Sequence, residues 1–191
     1  MSISLYLTCG SMYLMISQHN GEHNWEVAHR VLVPAFGPLN IRGMFDDMKD
    51  IATQLIMKWA RHGNDYKIHV TDDFTRLTLD TLALCSMDYR FNSFYAEQMH
   101  PFVDAMVNVL TESGSRIRRP GFLAALYRKE EYQYWKDVKY LRELSDELVQ
   151  NRKKHPGGRK DLLHAMLHGK DPRDGSSLSD ASIIDNMITF L

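Results

Sequence analysis

Between Ile41 and Trp59 the apolar residues Ile41, Met44, Phe45, Met48, Ile51, Leu55 and Trp59 recur in steps of three and four. That spacing puts them on one face of a helix, and a helix with one apolar stripe must bury it against a neighbour. The chain is thereby committed to helix-on-helix packing. Its other segments agree. Asn24 can cap a helix through Trp25, Ala28, His29 and Leu32 that Pro34 ends by removing a backbone donor. Thr71 can cap another, whose stretch from Phe74 to Met87 is apolar on most sides and so reads as surrounded by protein. Pro101 suits the first position of a helix reaching Ser113, where Gly114 stops or bends it. A long helix from about Leu126 to Lys154 shows Tyr134, Val138, Leu141, Leu144 or Ser145, and Leu148 on one face, is densely charged on the other, and is ended by Pro156-Gly157-Gly158. Short helices from Asp161 to His168 and after a Ser179 cap follow, and Lys67-Ile68-His69-Val70 alternates as one short strand. The expected fold class is mostly α with minor β.

Several functions are disfavoured at once. The 191 residues carry 23 Lys+Arg against 24 Asp+Glu, a net charge of −1, too balanced for a nucleic-acid binder that lives on phosphate neutralisation. Cys9 and Cys85 form no C-x-x-C pair, so neither a disulfide framework nor a structural zinc site is expected, and a cytoplasmic setting fits. The first sixteen residues are apolar without a period, lack a basic leading region, and fall short of the roughly 18 apolar residues of a membrane span. Membrane association is not expected. Eleven Met beside three Trp, nine Tyr and eight Phe suit a core shaped around a large apolar object, or equally a Met-rich core with no ligand. The last helix grows more apolar through Ile183, Ile184, Met187, Ile188, Phe190 and Leu191 with nothing to cap its carbonyls, so it is expected to continue beyond Leu191.

Trp25 and His29 are four apart, so an indole N–H and an imidazole N–H can point toward one anionic acceptor; the same pair also reads as two rings closing a helix start. Arg30 could add charge from about a third of a turn away. His19/His23 and His164/His168 have metal-ligand spacing but no convincing third ligand, and no metal site is expected. No G-x-G-x-x-G, P-loop or G-x-S-x-G motif occurs, and Cys85 lies in an apolar helix without a basic neighbour, so no catalytic residue is assigned.

The stretches NWEVAHRVLVPAF (Asn24 to Phe36), FTRLTLDTLALCSMDYRFNSFY (Phe74 to Tyr95), DLLHAMLHGKDP (Asp161 to Pro172) and DNMITFL (Asp185 to Leu191) together resemble a cytochrome P-450. More narrowly they resemble the haem domain of self-sufficient fatty-acid hydroxylases, in which that domain is fused to a flavin reductase. The resemblance runs from about residue 22 to 191, leaving residues 1–21 as a divergent N-terminal segment and 22–191 as a partial haem domain, central helices only. It implies that Trp25 and His29 donate to a haem propionate and that Phe36 and Phe190 lie near the haem. It also implies that Leu110, Gly114 and Ile117 line the entrance of a fatty-acid channel, with Gly114 loosening that wall. The implied cofactors are haem, with FAD, FMN and NADPH only through a reductase domain outside these residues; the implied partners are an apolar substrate such as a fatty acid and the flavin reductase, fused or separate. Neither cysteine stands in the F-x-x-G-x-x-x-C-x-G setting that would hold the iron, and neither E-x-x-R nor A-G-x-[DE]-T occurs. Whether this chain is an enzyme is therefore open. The expected activity is that of a piece of a haem-thiolate monooxygenase, inactive by itself; the alternative is a non-enzymatic helical interaction domain that uses its Met-rich faces.

Overall fold

The computed structural model describes residues 22–63, 65, 67–116, 127–157 and 159–191. Ile117, Cys9 and residues 1–21, on which some expectations fall, lie outside them. The described residues form α1 (Glu22–Leu32), a 3-10 turn (Val33–Phe36), α2 (Pro38–Gly43), α3 (Phe45–His62), α4 (Val70–Met87), a second 3-10 turn (Ser93–Tyr95), α5 (Pro101–Arg116), α6 (Arg128–Lys154), α7 (Leu162–His168) and α8 (Asp180–Phe190). They pack as two compact units, one of residues 101–156 and 180–189, the other of residues 22–100, 157–179 and 190–191.

In the larger unit α3 lies against α4. Ile51 and Leu55 of α3 meet Leu84 of α4 and Phe94 of the second 3-10 turn in one buried cluster, with Trp59 and Leu77 at its edge. The apolar stripe is thus half core. Its leading part is interrupted between α2 and α3, and Ile41 and Phe45 remain exposed. The expected strand does not form: Lys67–His69 is irregular, Val70 begins α4, and no strand occurs among the described residues. A lone four-residue strand has no neighbour to satisfy its backbone groups, whereas entering α4 early does so. Thr71 consequently sits inside α4, where its carbonyl accepts from Thr75 Oγ1 at 2.8 Å, and His69 holds the cap position. Asn24 likewise lies inside α1 instead of capping it.

Buried charge on α4 joins it to its surroundings. Asp73 accepts from Lys58 Nζ at 2.5 Å and Trp59 Nε1 at 2.7 Å. Burial pushes the Asp73 carboxyl up, but those two donors outweigh it and hold it below the usual carboxylate range. Arg159 bridges Asp47 and Asp88 in the same unit.

α7 starts as expected, with the Asp161 carboxylate accepting from the His164 backbone N–H at 2.8 Å. It packs on α1 and α4. Gly169 ends it where the chain touches α1: a Cβ there would overlap both the Ala165 carbonyl oxygen and Val31 Cγ1. Its φ is an ordinary −66°, so the constraint is space and not backbone conformation. Gly169→Ala is expected to destabilise the chain by about 1–3 kcal/mol, the usual cost of overpacking, read as a lower urea midpoint at unchanged slope.

The smaller unit is built on the packed pair α5 and α6. Phe102, Ala105 and Val109 of α5 and Tyr134, Val138, Leu141 and Val149 of α6 are buried, as are Ile183, Met187 and Ile188 of α8. α5 continues past Gly114 to Arg116, so the helix does not stop there. Two ion pairs tie α6 to α8, Arg142 Nη1 to Asp185 Oδ1 at 2.5 Å and Lys153 Nζ to Asp180 Oδ2 at 2.6 Å. Burial raises the Asp185 carboxyl above its ordinary value despite Arg142.

Candidate functional site

α1 presents Trp25 and His29 one turn apart with their rings stacked, centroids 5.1 Å apart and planes 29° from parallel. Both are exposed, Trp25 to 53%. None of the three ring nitrogens has a hydrogen-bond partner among the described residues, so an indole and an imidazole N–H stand ready for an acceptor supplied from outside.

Arg30 does not join them. Its guanidinium is spent on Asp171, with Nε to Oδ1 at 3.0 Å and Nη2 to Oδ2 at 2.6 Å, and on Glu26 at 3.0 Å. This fork raises Arg30 above its already high value and holds the buried Asp171 carboxyl below the usual range, the Arg173 backbone N–H adding to the effect. Arg30 thereby fixes α1 to the loop after α7. The i, i+4 geometry of α1 could not reveal a partner 141 residues away.

The 3-10 turn after α1 carries Phe36, exposed to 44%, and Phe190 packs against it with ring centroids 5.5 Å apart. Two positions far apart in sequence therefore form one partly open aromatic face. Leu110 and Gly114 lie one turn apart on α5, both half-buried.

Cys85 is buried on α4, its Sγ 3.9 Å from the Met44 carbonyl oxygen. Burial, then Asp47, pushes the thiol up, against an opposing pull from Arg159. This is a neutral core thiol, not a nucleophile or an anionic ligand. The His164 and His168 rings lie 4.5 Å apart, and no group of three His, Cys, Asp or Glu suited to a metal ion occurs among the described residues. No helix of the described residues is long and apolar enough to cross a membrane.

The sequence reading missed the charges buried on α4, Asp73, Arg76 and Asp80. Their signal was available: ionisable side chains at i, i+3 and i+7 on one face of an otherwise apolar helix must have partners.

A helical body whose donor pair and aromatic pair sit together in one unit agrees with comparison to known proteins. The cytochrome P450 family model matches residues 10–191, and the chain belongs to the cytochrome P450 family. It is 63% identical over 177 residues to a bifunctional cytochrome P450/NADPH–P450 reductase of Aspergillus oryzae, covering 93% of this chain and 16% of that protein. A bifunctional protein of the same description from Fusarium oxysporum is 57% identical over 171 residues, 89% of this chain and 16% of its own length. A self-sufficient cytochrome P450 monooxygenase of Exserohilum turcicum is 52% identical over 177 residues, 93% and 17% respectively. The chain thus spans about a sixth of the length of these curated relatives.

Family membership implies a haem. The residues present fit part of one: unpartnered donors at Trp25 and His29 suit a carboxylate, and the open Phe36/Phe190 face suits an apolar ring. Cys85 does not fit the iron, because its thiol is buried and protonated.

Proposed function

We propose that this chain is part of a haem-thiolate monooxygenase that, in the whole protein, hydroxylates fatty acids or similar apolar chains with O2 and NADPH-derived electrons. The observation that carries this reading is the stacked Trp25/His29 pair, whose ring donors have no partner among the described residues. Trp25 and His29 would hold a haem propionate, and Phe36 with Phe190 would lie along the apolar part of the ring. Bound haem, held through a thiolate, supplies the oxygen-activating chemistry of the class. The chain's own residues bind and orient it. Leu110, Gly114 and Ile117 would line the substrate entrance, where the hydrogen of Gly114 leaves room that a larger side chain would fill. The reductase in the names of the Aspergillus and Fusarium relatives supports a flavin reductase, with FAD and FMN, as the electron source. Residues 22–191 would be the haem-domain part, residues 1–21 a divergent lead, and the setting cytoplasmic.

These 191 residues alone would not hydroxylate. Cys85 cannot reach an iron as a thiolate from inside α4. Exposed apolar side chains such as Leu39 and Phe45 also fit a body that meets more protein in its working form. The purified chain is to be loaded with hemin, reduced and exposed to CO. Hemin retention without the red-shifted Soret band of a thiolate-ligated haem is expected. A normal thiolate spectrum overturns the inactivity, and failure to retain hemin overturns the assignment of the haem-holding residues.

A further inference from the structure

A cavity of about 570 Å³ lies between α5 and α6, and its lining among the described residues includes neither Leu110 nor Gly114 nor any residue assigned above to haem. Its volume falls among those of small-molecule sites. Among the described residues its charge is acidic: Glu112 of α5 and Glu130 and Asp137 of α6 line it with Lys129. Arg116 Nε, 3.4 Å from Glu112 Oε1, offsets one carboxylate and leaves the other two against the lysine.

Asp137 is the telling member. It is 8% exposed, its Oδ1 accepts from Gln133 Nε2 at 2.7 Å, and its Oδ2 is sealed from solvent with no hydrogen-bond partner. Buried carboxylate oxygens in folded proteins are almost always paired, so this one is owed a donor. Aromatic surface adjoins it, since Tyr132 and Tyr134 also line the cavity. The Arg116 guanidinium lies 4.0 Å over the Tyr134 ring centroid, so this corner of the pair already seats one cation on an aromatic face.

We propose that the α5/α6 cavity binds a small organic cation, a primary ammonium on an aromatic or aliphatic body. The ammonium donates to Glu130 and to the Asp137 carboxylate, which turns its buried Oδ2 toward the cavity as the amine enters, and the body lies against Tyr132. A bare metal ion is the poorer occupant, because no metal-holding group of ligands occurs among the described residues. A fatty carboxylate would meet Glu130 and Asp137 and be repelled. The proposal does not rest on the haem reading, since every described residue it uses belongs to α5 or α6.

The test titrates the 191-residue chain with 2-phenylethylamine and, as neutral isostere, 2-phenylethanol, each followed by calorimetry. The amine is expected to bind saturably, one per chain, about tenfold or more tighter than the alcohol, as a charge-assisted hydrogen bond requires. Asp137→Asn and Glu130→Gln should each remove about tenfold of that affinity. Glu130 is exposed, so its variant keeps the question answerable if Asp137→Asn fails to fold. Equal affinity for amine and alcohol, amine affinity unchanged in Glu130→Gln and Asp137→Asn, or no saturable amine binding overturns the proposal. The last two would leave water as the cavity's occupant.

Discussion

Arg76→Met is expected to cost about 3–5 kcal/mol of stability. The side chain is 4% exposed, and its guanidinium closes the loop after α4 by donating to three backbone carbonyls. Nη1 serves Ser93, and also Ala96 at 2.9 Å, while Nη2 serves Glu97 at 2.8 Å. One turn along the helix, Asp80 takes the Ser93 hydroxyl at 2.6 Å and the Ser93 N–H at 2.9 Å. Methionine fills much of the same volume and satisfies none of the three carbonyls. The buried Ser93 carbonyl left unpaired costs roughly 1–3 kcal/mol, and the carbonyls of exposed Ala96 and Glu97 cost less because water can reach them. The buried carboxylates Asp73 and Asp80 lose a nearby positive charge, and relief from burying the guanidinium returns part of the sum. Against a typical total of about 5–15 kcal/mol, the remainder is a large share. Arg76→Lys should recover little, because an ammonium cannot span three carbonyls as a planar fork does. The urea midpoint gives the magnitude, and amide exchange in residues 93–97 gives the location. A loss under about 1 kcal/mol would mean that the loop is held by its own turns and that the fork is incidental.

This clamp also marks where sequence reading stops. Helices α3 to α6 were legible because burial on one side of a helix leaves a period near 3.6, visible in Ile51 and Leu55 or in Val138 and Leu141. The period reports that a face is buried but not what covers it, so α4 was recognisable as an enclosed helix while the partners of Asp73, Arg76 and Asp80 were not. The strand at Lys67–Val70 failed for a related reason. Alternation over four residues is a local signal, and only neighbouring strands could have made it real. In the candidate site the same division holds. The Trp25/His29 spacing announced two donors on one face, since both lie on one helix. The Phe36/Phe190 contact joins the two ends of the described chain, and only a resemblance between whole sequences could place those residues together. Arg30 is the converse case: in sequence it is a charge beside a donor pair, and in the fold Asp171 holds it.

Removing both donors, by Trp25→Phe with His29→Leu, is expected to weaken hemin retention by about 10²–10⁴-fold while leaving the fold intact. A hydrogen bond to a charged group is worth about 1.5–3 kcal/mol, or roughly 10- to 150-fold in affinity for each donor. The stacked rings position one another, so the two losses should couple, and each single variant should lose more than its own bond. Both side chains are exposed, and their replacement should move the unfolding free energy by no more than about 0.5 kcal/mol. Hemin loss to a high-affinity scavenger, followed by absorbance, measures the effect. The dimethyl ester of hemin identifies its cause, because esterified propionates carry no charge for the two N–H groups to meet. If Trp25 and His29 act on a propionate, the chain and its double variant should hold the ester equally weakly. Should the double variant lose the ester as much as it loses free hemin, the pair would be acting through ring packing. The anion-donor reading of α1 would then be wrong even if haem still binds beside it.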